Sequence, residues 1–423
     1  MRSGTKQSAL NIYLVGGAVR DELLGLDITD RDWVVVGSTP DAMLNAGYKS
    51  VGKDFPVFLH PQTHEEYALA RLERKTGPGY HGFAFTSDSS VTLEEDLSRR
   101  DLTINAIAKS SDGDLIDPYN GQTDLNRKLL RHVSDAFIED PVRVLRVARF
   151  MARFAHLGFS IADQTMSLMQ SMVANGEVNN LVAERVWQEM QGGLAAKTPR
   201  AFFDTLRECG ALAVVLPEVD ALYGVPQNAK WHPEIDSYIH TMMVLEQSVL
   251  LSNLVTVRFA ALCHDLGKAT TPKEILPAHH NHEQRGATIT EALCARLRIP
   301  KNPRDLAILS ARYHTHCHRA TELKTTTLVD TLKALDVKRK PERFAEYLLV
   351  CEADKRGRSG SENTPYPQRK FMADAASVLS AVDTAQIAKQ TQDQSRIADE
   401  VRIAQINALK NWRLDTTQEF SDK

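Results

Sequence analysis

The pattern of strand and helix signals changes once along this chain of 423 residues. Residues 11 to about 120 alternate turns with short runs rich in β-branched and aromatic residues, such as IYLVGG, WVVVG and FPVFLH. From Glu139 onward strand signals nearly vanish, and segments such as DPVRVLRVARFMARFAHL have the apolar spacing of helices. The sequence therefore predicts an α+β protein whose mixed sheet is confined to the N-terminal region.

The length exceeds that of one ordinary hydrophobic core, so several domains are expected. A Pro/Gly/Asn-rich break, LYGVPQNAKWHPEIDSY, and a polar linker, KRGRSGSENTPYPQRK, divide the helical part. The predicted regions are a mixed α/β region at 1–138, a helical region at 139–228, a histidine-rich helical region at 229–360 and a charged helical tail at 361–423.

Charge and cysteine content limit the classes to which the chain can belong. The formal net charge of −3 excludes a globally basic nucleic-acid coat, so any nucleic-acid surface must be a local patch. The five cysteines are widely spaced and form no C-x-x-C pair, so neither a disulfide framework nor a thiolate zinc site is expected. No apolar run approaches a membrane span, and the start lacks an apolar signal core. These features predict a protein of the reducing cytoplasm without membrane association.

The segment TDRDWVVVG predicts a buried strand that opens with two carboxylates. Side chains at positions i and i+2 of a strand share a face, so Asp30 and Asp32 should converge while Arg31 points away. Such a pair can hold Mg²⁺, which prefers oxygen ligands, although a solvated strand end gives the same pattern. Further on, EYALARLERK is predicted as one strand with Arg71 and Glu73 on one face. Glu73 is either a third acid near the metal or an exposed strand carboxylate.

A glycine turn precedes this segment in YLVGGAVRDELLG. The pattern predicts an apolar strand, a turn at Gly16 and Gly17, and a helix that contains Arg20 and Asp21. Backbone N–H groups at such a helix start can bind phosphate, and Arg20 can add a bidentate contact. The segment matches neither the P-loop nor G-x-G-x-x-G, and an ordinary tight turn with a solvated arginine remains the alternative.

The segment EDPVRVLRVARFMARF carries an arginine row. Its members, at spacings of three, three and four residues, are Arg143, Arg146, Arg149 and Arg153. At about 100° per residue they fall within an arc of roughly 120° on one helix face. Because guanidinium groups are planar forks of donors, the row predicts a reader of anions or base edges, with a surface stripe as the alternative.

A second helix is predicted in LVAERVWQEMQGGLAA. Its Arg185 could face RNA, but a core-packing helix is favoured. The expected core positions are Leu181, Val182, Val186, Trp187 and Met190.

Histidines are concentrated in the helical region that follows residue 239. His240 lies in an apolar-periodic helix, and His264 and Asp265 lie in RFAALCHDLGKATTP, where a helix is expected to end at Gly267. The other candidates are His279, His280, His282, His314, His316 and His318. Neutral imidazole and carboxylate groups suit a divalent transition metal that could drive phosphoester hydrolysis.

These motifs together resemble a known family. LVGGAVRDELLG followed by DRDWVVVG is similar to the nucleotidyltransferase core of the polymerase-β type, and more closely to the bacterial class II tRNA nucleotidyltransferases, the CCA-adding enzymes. Further segments resembling that family are RRDLTINAIA, DPYNGQTDL, EDPVRVLRVARF and, for its HD-domain version, EADKRGR. The resemblance extends to about residue 365. It implies a polymerase-β-like head with a mixed sheet, an all-α neck and body, and an all-α HD domain.

The resemblance also implies a reaction and its residues. CMP, CMP and AMP would be added to the 3′ end of tRNA from CTP and ATP, with Mg²⁺ held by Asp30 and Asp32. Gly17, Arg20 and Arg100 would position the triphosphate. Asp140 and Arg143 would read the Watson–Crick edge of the incoming base, and the nucleotide would also contact Arg146 and Arg149.

For the histidine-rich region the resemblance implies an HD phosphohydrolase. The implied metal ligands are His240, His264, Asp265, His282, His314 and Asp354. His279, His280, His316 and His318 are expected to be solvated or to lie outside the ligand shell. The implied activities are 2′,3′-cyclic phosphodiesterase, 2′-nucleotidase and phosphatase, with nickel or another transition ion. A domain that keeps the fold without catalysis is the alternative, and the protein is expected to be a monomer or homodimer.

Three other functions compete with this hypothesis. A bacterial poly(A) polymerase shares the head but usually lacks an HD domain. An alarmone synthetase-hydrolase joins similar domains in the opposite order. A non-catalytic tRNA-binding protein is disfavoured because Asp30, Asp32 and the His264–Asp265 pair are intact.

Overall fold

The computed structural model describes the backbone of residues 10–51, 57–75, 83–86 and 89–421, and the side chains of these ranges except 72–75, 83–86 and 415–421. The chain forms two compact units, Met1–Val215 and Leu216–Lys423. The division falls inside the predicted helical region 139–228.

The first unit contains all the strands of the described residues. They are β1 (Asn11–Val15), β2 (Asp32–Val36), β3 (Lys49–Val51), β4 (Val57–Leu59), β5 (Glu66–Leu69), β6 (Leu72–Lys75), β7 (Phe83–Thr86), β8 (Ala108–Lys109), β9 (Leu115–Ile116), β10 (Leu129–Leu130) and β11 (Ser160–Ile161). Seven of them form one sheet in the order β3-β4-β5-β2-β1-β8-β9. Strand β2 is antiparallel to β1 and parallel to β5, which confirms the predicted mixed sheet.

The three consecutive valines of β2 place it at the centre of this sheet. Successive side chains of a strand point to opposite faces. Accordingly Val34 packs in one apolar cluster with Val15 and Leu97, whereas Val35 packs in another cluster with Met43. Burial of each such side chain contributes roughly 1.5–3 kcal/mol, so β2 is held from both sides.

Two strand predictions are corrected by the structure. Strand β2 begins at Asp32, and Asp30 lies before it, exposed and outside the ladder. The segment EYALARLERK is not one strand, because β5 ends at Leu69 and β6 pairs only with β7 among the described residues. The break occurs where the Arg71 backbone N–H donates to Asp96 Oδ1 at 3.3 Å, which removes that group from the ladder.

The helices of the first unit are α1 (Gly17–Leu23), α2 (Pro40–Asn45), α3 (Leu93–Ser98), α4 (Gly121–Arg127), α5 (Val142–Phe154), α6 (Asp163–Ala174), α7 (Ala183–Ala195), α8 (Arg200–Glu208) and α9 (Ala211–Val215). Helix α5 packs against α7 and α8. On α7, Val186, Trp187 and Met190 are buried as predicted. The expectation of a core position for Val182 was wrong, since it precedes the first turn of α7 and is exposed.

The second unit consists of helices and turns in its described part, residues 216–421. The helices are α10 (Pro217–Asp220), α11 (Ser237–Leu251), α12 (Val255–Cys263), α13 (His282–Arg296), α14 (Lys301–His318), α15 (Thr325–Ala334), α16 (Pro341–Arg356), α17 (Pro367–Ala381), α18 (Thr384–Gln390) and α19 (Ile397–Ser421). Helix α12 packs against α11, α14 and α16. Within the described ranges, no helix of the chain has the length and apolarity needed to cross a membrane.

The helix predicted to end at Gly267 ends earlier, at Cys263, and a 3₁₀ turn follows at Leu266–Thr270. Gly267 lies in this turn directly against helix α13. A Cβ at this position would overlap the carbonyl oxygen of His282 and would lie 2.5 Å from the backbone nitrogen of Gly286. Only glycine therefore allows this close approach of turn and helix.

Candidate active sites

The first unit contains a cleft of about 660 Å³ lined mainly by charged side chains. Nine arginines and six carboxylates contribute to its walls. The lining includes every predicted residue of the head site, namely Gly17, Arg20, Asp30, Asp32, Arg100, Asp140, Arg143, Arg146 and Arg149. An excess of guanidinium over carboxylate groups suits a polyanionic ligand.

One edge of the cleft is acidic. Asp32, at the start of β2, pairs in register with Glu66 at the start of β5. Paired residues of neighbouring strands point to the same face and lie about 4.8 Å apart. Asp30 also lines the cleft, and all three side chains are exposed. Exposed carboxylate oxygens are hard donors, so this edge fits Mg²⁺ or a similar cation.

Glu66 was missed by the sequence analysis, which considered Glu73 as a third acid. The backbone of Glu73 lies in the separate β6–β7 pair, opposite Phe85, and its side chain lies outside the described residues. Glu66 precedes the apolar run YAL as Asp32 precedes WVVV. That parallel was a signal for Glu66, but only the register of β2 with β5 brings the two acids together.

Arg20 is buried, not on a solvated helix face. Its Nη1 donates to Asn105 Oδ1 at 2.5 Å and its Nε donates to Asp21 Oδ1 at 2.9 Å. Burial lowers the pKa of Arg20 and outweighs the opposing effect of Asp21. Its guanidinium carbon lies 5.1 Å from the centroid of the Phe154 ring. These partners fix Arg20 in the cleft wall.

The turn before α1 brings Arg100 close to the same wall. Gly16 has a φ of +71°, and an added Cβ would lie 2.8 Å from Arg100 Nη1. The positive φ favours glycine at this position, and a larger residue would also displace the end of the Arg100 side chain. Arg100 is held by Asp96, whose Oδ2 lies 3.4 Å from Arg100 Nη2. At Gly17, by contrast, an added Cβ would make only an ordinary contact, at 3.5 Å from Arg20 Nη2.

The arginine row of α5 lies in the cleft wall, where carboxylates hold its middle members. Arg146 Nη2 lies 2.7 Å from Asp101 Oδ2, and Arg149 Nε lies 2.5 Å from Glu189 Oε2 on α7. Burial favours a raised pKa for Asp101, but Arg146 and a hydrogen bond from Asn105 hold this pKa well below its usual range. The middle of the row is therefore fixed by buried or half-buried ion pairs.

The two ends of the row have different environments. Arg143 is buried, and its guanidinium donates to the carbonyl oxygens of Ala136 and Arg99 at 2.8 and 2.6 Å. Arg153 Nη2 lies 2.8 Å from Asp21 Oδ2. The row is thus part of a polar network and not a solvated stripe.

Asp140, the other predicted base reader, is held by Arg185. Arg185 donates from Nη1 to Asp140 Oδ1 at 3.1 Å and from Nη2 to Oδ2 at 2.7 Å. The backbone N–H of Val142 also donates to Oδ1, at 3.1 Å. Sequence analysis had not assigned Arg185 or Glu189 to the site. Their spacing of four residues on α7 was the available signal, since such residues share a helix face.

The second unit brings all six predicted HD residues into one buried cluster. His240 lies on α11, His264 and Asp265 follow α12, His282 begins α13, His314 lies on α14 and Asp354 lies on α16. Five of the six are at most 3% exposed, and His282 is partly buried. Four helices and one turn thus contribute to a single polar centre.

Asp265 lies at the middle of this cluster. Its Oδ1 lies 3.3 Å from His282 Nε2 and 3.5 Å from His314 Nε2. Its Oδ2 lies 3.1 Å from His264 Nε2. His240 Nε2 lies 3.3 Å from Asp354 Oδ1, on the other side of the cluster. The imidazole and carboxylate groups therefore converge as a metal site requires.

The donor set fits a divalent transition ion. His264 Nε2, Asp265 Oδ1 and His240 Nε2 are buried and make no well-aligned hydrogen bond among the described residues, although other atoms of the cluster lie close to them. Unsatisfied buried polar atoms are costly, and a bound cation would satisfy them. Burial would raise the pKa of Asp265, but Lys268 and His264 hold this pKa well below its usual range. The cluster therefore presents a carboxylate anion together with imidazole nitrogens.

Two further charged residues support the cluster and were missed in the sequence. Lys268 Nζ lies 2.6 Å from Asp265 Oδ2. Glu234 Oε1 lies 2.8 Å from His240 Nδ1 and 3.0 Å from His232 Nδ1. The i,i+3 spacing of Lys268 from Asp265 could have indicated the first contact. Glu234 lies in the Pro-rich break, where no periodic spacing indicated its contact with His240.

Three of the histidines left out of the predicted ligand set also have partners. His318 Nε2 lies 2.6 Å from Asp354 Oδ2. His279 Nδ1 lies 2.8 Å from the Thr271 hydroxyl, whereas His316 Nδ1 lies 2.9 Å from that of Thr331. Of these three, His318 contacts a member of the cluster.

Family comparisons agree with this division into a head and a histidine cluster. Residues 12–131 match the family described as "Poly A polymerase head domain", and residues 237–358 match the HD domain family. Residues 158–223 match the family described as "Probable RNA and SrmB- binding site of polymerase A".

Solved structures share the fold. The chain aligns with the Bacillus stearothermophilus CCA-adding enzyme in complex with CTP over 99% of this chain and 96% of the other, with a TM-score of 0.62 and 20% identity. A CCA-adding enzyme in apo form II aligns over 94% and 88%, with a TM-score of 0.63 and 18% identity.

Curated relatives are much closer in sequence. The multifunctional CCA protein of Thioalkalivibrio sulfidiphilus is 57% identical over 96% of this chain and 99% of its own length. That of Dechloromonas aromatica is 57% identical over 95% and 97%. The chain therefore belongs to the family of multifunctional CCA proteins, enzymes that combine a nucleotidyltransferase head with an HD domain.

Proposed function

We propose that this enzyme adds CMP, CMP and AMP to the 3′ end of tRNA, using CTP and ATP and releasing pyrophosphate. The observation that carries the proposal is the cleft of the first unit. Three exposed carboxylates lie at one edge, and Asp140 and Arg143 lie on the arginine-rich wall. The names of relatives that are 55–57% identical over nearly their whole length support the same reaction.

The acidic edge is the proposed place of phosphoryl transfer. The terminal 3′-hydroxyl of the tRNA attacks the α-phosphate, and pyrophosphate leaves. Asp30 and Asp32 would hold Mg²⁺, with Glu66 beside them, and a two-metal site supplies charge neutralisation for the attacking and leaving oxygens. Gly17, Arg20 and Arg100 position the triphosphate, because this wall offers fixed donors to an anion.

The base is proposed to be read by Asp140 and Arg143. A carboxylate accepts and a guanidinium donates hydrogen bonds, so the pair can match the edge of cytosine or adenine. Bidentate contact with Arg185 fixes the plane of the Asp140 carboxylate, and two carbonyl oxygens fix Arg143. Arg146 and Arg149 would contact the nucleotide from the same wall. Protein side chains then replace a nucleic-acid template.

The test uses tRNA transcripts that end before CCA, after C and after CC. Each is incubated with Mg²⁺ and CTP, ATP or both, for the wild type and Asp30→Ala. The proposal predicts addition of two C and one A, followed by a stop, and no addition by the variant. Long A tails on any RNA would instead identify a poly(A) polymerase, and the absence of any addition would contradict the proposal.

We also propose that the HD cluster hydrolyses phosphoesters at RNA ends, as a 2′,3′-cyclic phosphodiesterase, 2′-nucleotidase and phosphatase. The support is the set of buried nitrogen and oxygen atoms at His240, His264 and Asp265 that converge without well-aligned hydrogen bonds. His240, His264, Asp265, His282, His314 and Asp354 would hold Ni²⁺ or a similar ion, which lowers the pKa of a bound water. Lys268, 2.6 Å from Asp265, provides a fixed cation for the phosphate end of a substrate.

This second activity is tested with 2′,3′-cyclic AMP and 2′-AMP after treatment with a chelator and addition of Ni²⁺, Co²⁺ or Mg²⁺. Hydrolysis should depend on the added ion and disappear in His264→Ala. His316→Asn is the matched control, because His316 contacts Thr331 and not the cluster. Equal hydrolysis by His264→Ala, or none by the wild type with any ion, would contradict the assignment.

The cellular setting is proposed to be the reducing cytoplasm, with the protein acting as a monomer or homodimer. All five cysteines are buried and unpaired, which suits such a compartment. The mass of the native protein in solution, measured with and without tRNA, will show whether the protein is a monomer or a homodimer.

A further inference from the structure

The two carboxylate oxygens of Asp354 face different partners. Oδ1 is directed to the cluster, 3.3 Å from His240 Nε2. Oδ2 is directed away from it and lies 2.6 Å from Nε2 of His318, the last residue of α14. Oδ1 also receives a long contact, at 3.5 Å, from Arg358 Nη2, whereas Oδ2 has the short bond to His318. A carboxylate held in this way has a fixed orientation.

The other ring nitrogen of His318 has its own partner. His318 Nδ1 lies 2.9 Å from the hydroxyl of Tyr366, which is buried. Burial raises the pKa of Tyr366 far above its usual range, so the hydroxyl keeps its proton. In a neutral imidazole one nitrogen carries the proton and the other accepts. Donation by Tyr366 to Nδ1 places the proton on Nε2, where it is donated to Asp354.

A further neighbour is compatible with this direction of donation. The sulfur of Cys317 lies 3.3 Å from the Tyr366 hydroxyl. A thiol sulfur is a weak acceptor, whereas the imidazole nitrogen is closer and is a stronger one, so the phenol proton of Tyr366 is donated to His318 in preference to Cys317. The hydrogen bonds from Tyr366 to His318 and from His318 to Asp354 then run in one direction.

Tyr366 belongs to the C-terminal segment, whose function the sequence did not reveal. It immediately precedes α17, at the start of the tail. On the first turn of α17, Arg369 Nη1 donates to Glu352 Oε2 at 2.8 Å, and Glu352 lies on α16 two residues before Asp354. The tail is therefore anchored to the helix that carries Asp354.

We propose that Tyr366 and His318 are positioning residues that orient Asp354 for the cation of the HD cluster, so that the first residue before the tail helix tunes metal binding. The inference rests on the proposed HD function. It gives the start of the C-terminal segment a role in metal binding at the HD cluster.

The experiment measures the dissociation constant for Co²⁺ and Ni²⁺ by competition with a fluorescent chelator, on the full-length protein. The variants are Tyr366→Phe, His318→Ala, their combination and His318→Gln, which keeps an N–H donor. Loss of a hydrogen-bond partner behind a metal ligand weakens binding by about 10–100-fold. We expect Tyr366→Phe at the lower end of that range, His318→Ala at the upper end, and His318→Gln between wild type and His318→Ala.

The double variant distinguishes a relay from general destabilisation. If Tyr366 acts through His318, Tyr366→Phe has no further effect once His318 is alanine. Tyr347→Phe is the matched control, because its hydroxyl makes a comparable bond, 2.7 Å long, to the carbonyl oxygen of Tyr313. It should leave the dissociation constant unchanged. Absorption of bound Co²⁺ should change in Tyr366→Phe and not in Tyr347→Phe.

Three results would overturn the inference. These are equal metal affinity in wild type and Tyr366→Phe, independent effects of the two substitutions, or the same loss in Tyr347→Phe. Nucleotide addition by the head should persist in every variant. Its persistence would show that the variant protein is folded. A wild type that binds neither ion would contradict the HD assignment itself, and with it the relay.

Discussion

The two candidate sites of this chain differ in the exposure and in the pairing of their charged side chains. In the head cleft the acids at the acidic edge, Asp30, Asp32 and Glu66, are exposed, and Arg146 and Arg149 in the wall are paired with carboxylates. In the HD cluster five of the six residues are buried, and several of their polar atoms make no well-aligned hydrogen bond. Under the proposed function, the exposed edge suits a triphosphate that enters and leaves, whereas the buried cluster suits an ion that remains bound.

The largest expected effect is the loss of one activity while the other is retained. Asp32→Ala should lower the rate of nucleotide addition by roughly 10³-fold or more, because a metal-holding carboxylate is lost at the reacting phosphate. It should leave hydrolysis of 2′,3′-cyclic AMP unchanged, and His264→Ala should have the reverse pattern. Initial rates of both reactions for each variant test this.

Asp27→Ala is the control for this comparison, since Asp27 is exposed and lies outside the lining of the cleft. A variant that lost both activities would show that the two sites are not independent.

Glu66→Gln should lower the rate of addition by about 10–100-fold, less than Asp32→Ala, because Glu66 is proposed to support a site that two other acids form. Glu73→Gln is the matched control, since Glu73 was the candidate from sequence alone. Single-turnover rates with saturating CTP measure both. A larger loss in Glu73→Gln would reverse the assignment drawn from the register of β2 and β5.

Arg185→Lys should reduce the preference for the correct nucleotide by about 10-fold, with a smaller effect on the maximal rate. A lysine cannot reproduce the bidentate contact that holds Asp140, so the base-reading carboxylate can rotate. The ratio of kcat/KM for CTP and ATP on tRNA ending in C measures the effect. Arg207→Lys on α8, outside the lining of the cleft, is the control, and equal ratios in the two variants would contradict the role of Arg185.

The smallest effect concerns acid stability. The pKa of Asp101 is lowered in the folded protein, so its ionised form stabilises the fold at pH values above about 4, and this contribution is lost as the pH falls further. Arg146, its partner, is 37% exposed, so we expect a contribution of only about 1 kcal/mol.

Asp101→Asn should therefore flatten the acid dependence of the free energy of unfolding. Urea unfolding of the wild type and variant between pH 6 and pH 3 would measure this, with the exposed Asp112→Asn as control. An unchanged slope in Asp101→Asn would show that the Asp101–Arg146 pair contributes nothing to acid stability.

Local patterns let the sequence predict much of this chemistry. The six HD residues were predicted because His264 and Asp265 are adjacent and the motif order is recognisable, and the structure brings all six together. The mixed sheet was predictable from short β-rich runs, and its presence is confirmed. The sheet signal lay within a few residues of chain, whereas the HD set, spread from His240 to Asp354, was predicted through the resemblance to a known family.

Contacts between distant segments were not predictable. Glu66 lies 34 positions after Asp32 and meets it only through strand register, and Arg185 lies 45 positions after Asp140. The strand break at Arg71 depends on the carboxylate of Asp96, which is 25 positions further along. Such contacts follow from packing, which propensity and spacing do not encode.

The glycine at position 267 has a consequence for how the HD cluster could be manipulated. A Cβ at this position would overlap the backbone of α13, so this glycine lets the turn that follows Asp265 lie close to the helix that begins at His282. Alanine at this position would push the turn from the helix while every ligand kept its chemical identity. Gly267→Ala would therefore change the positions of the HD residues relative to one another without changing any of their side chains.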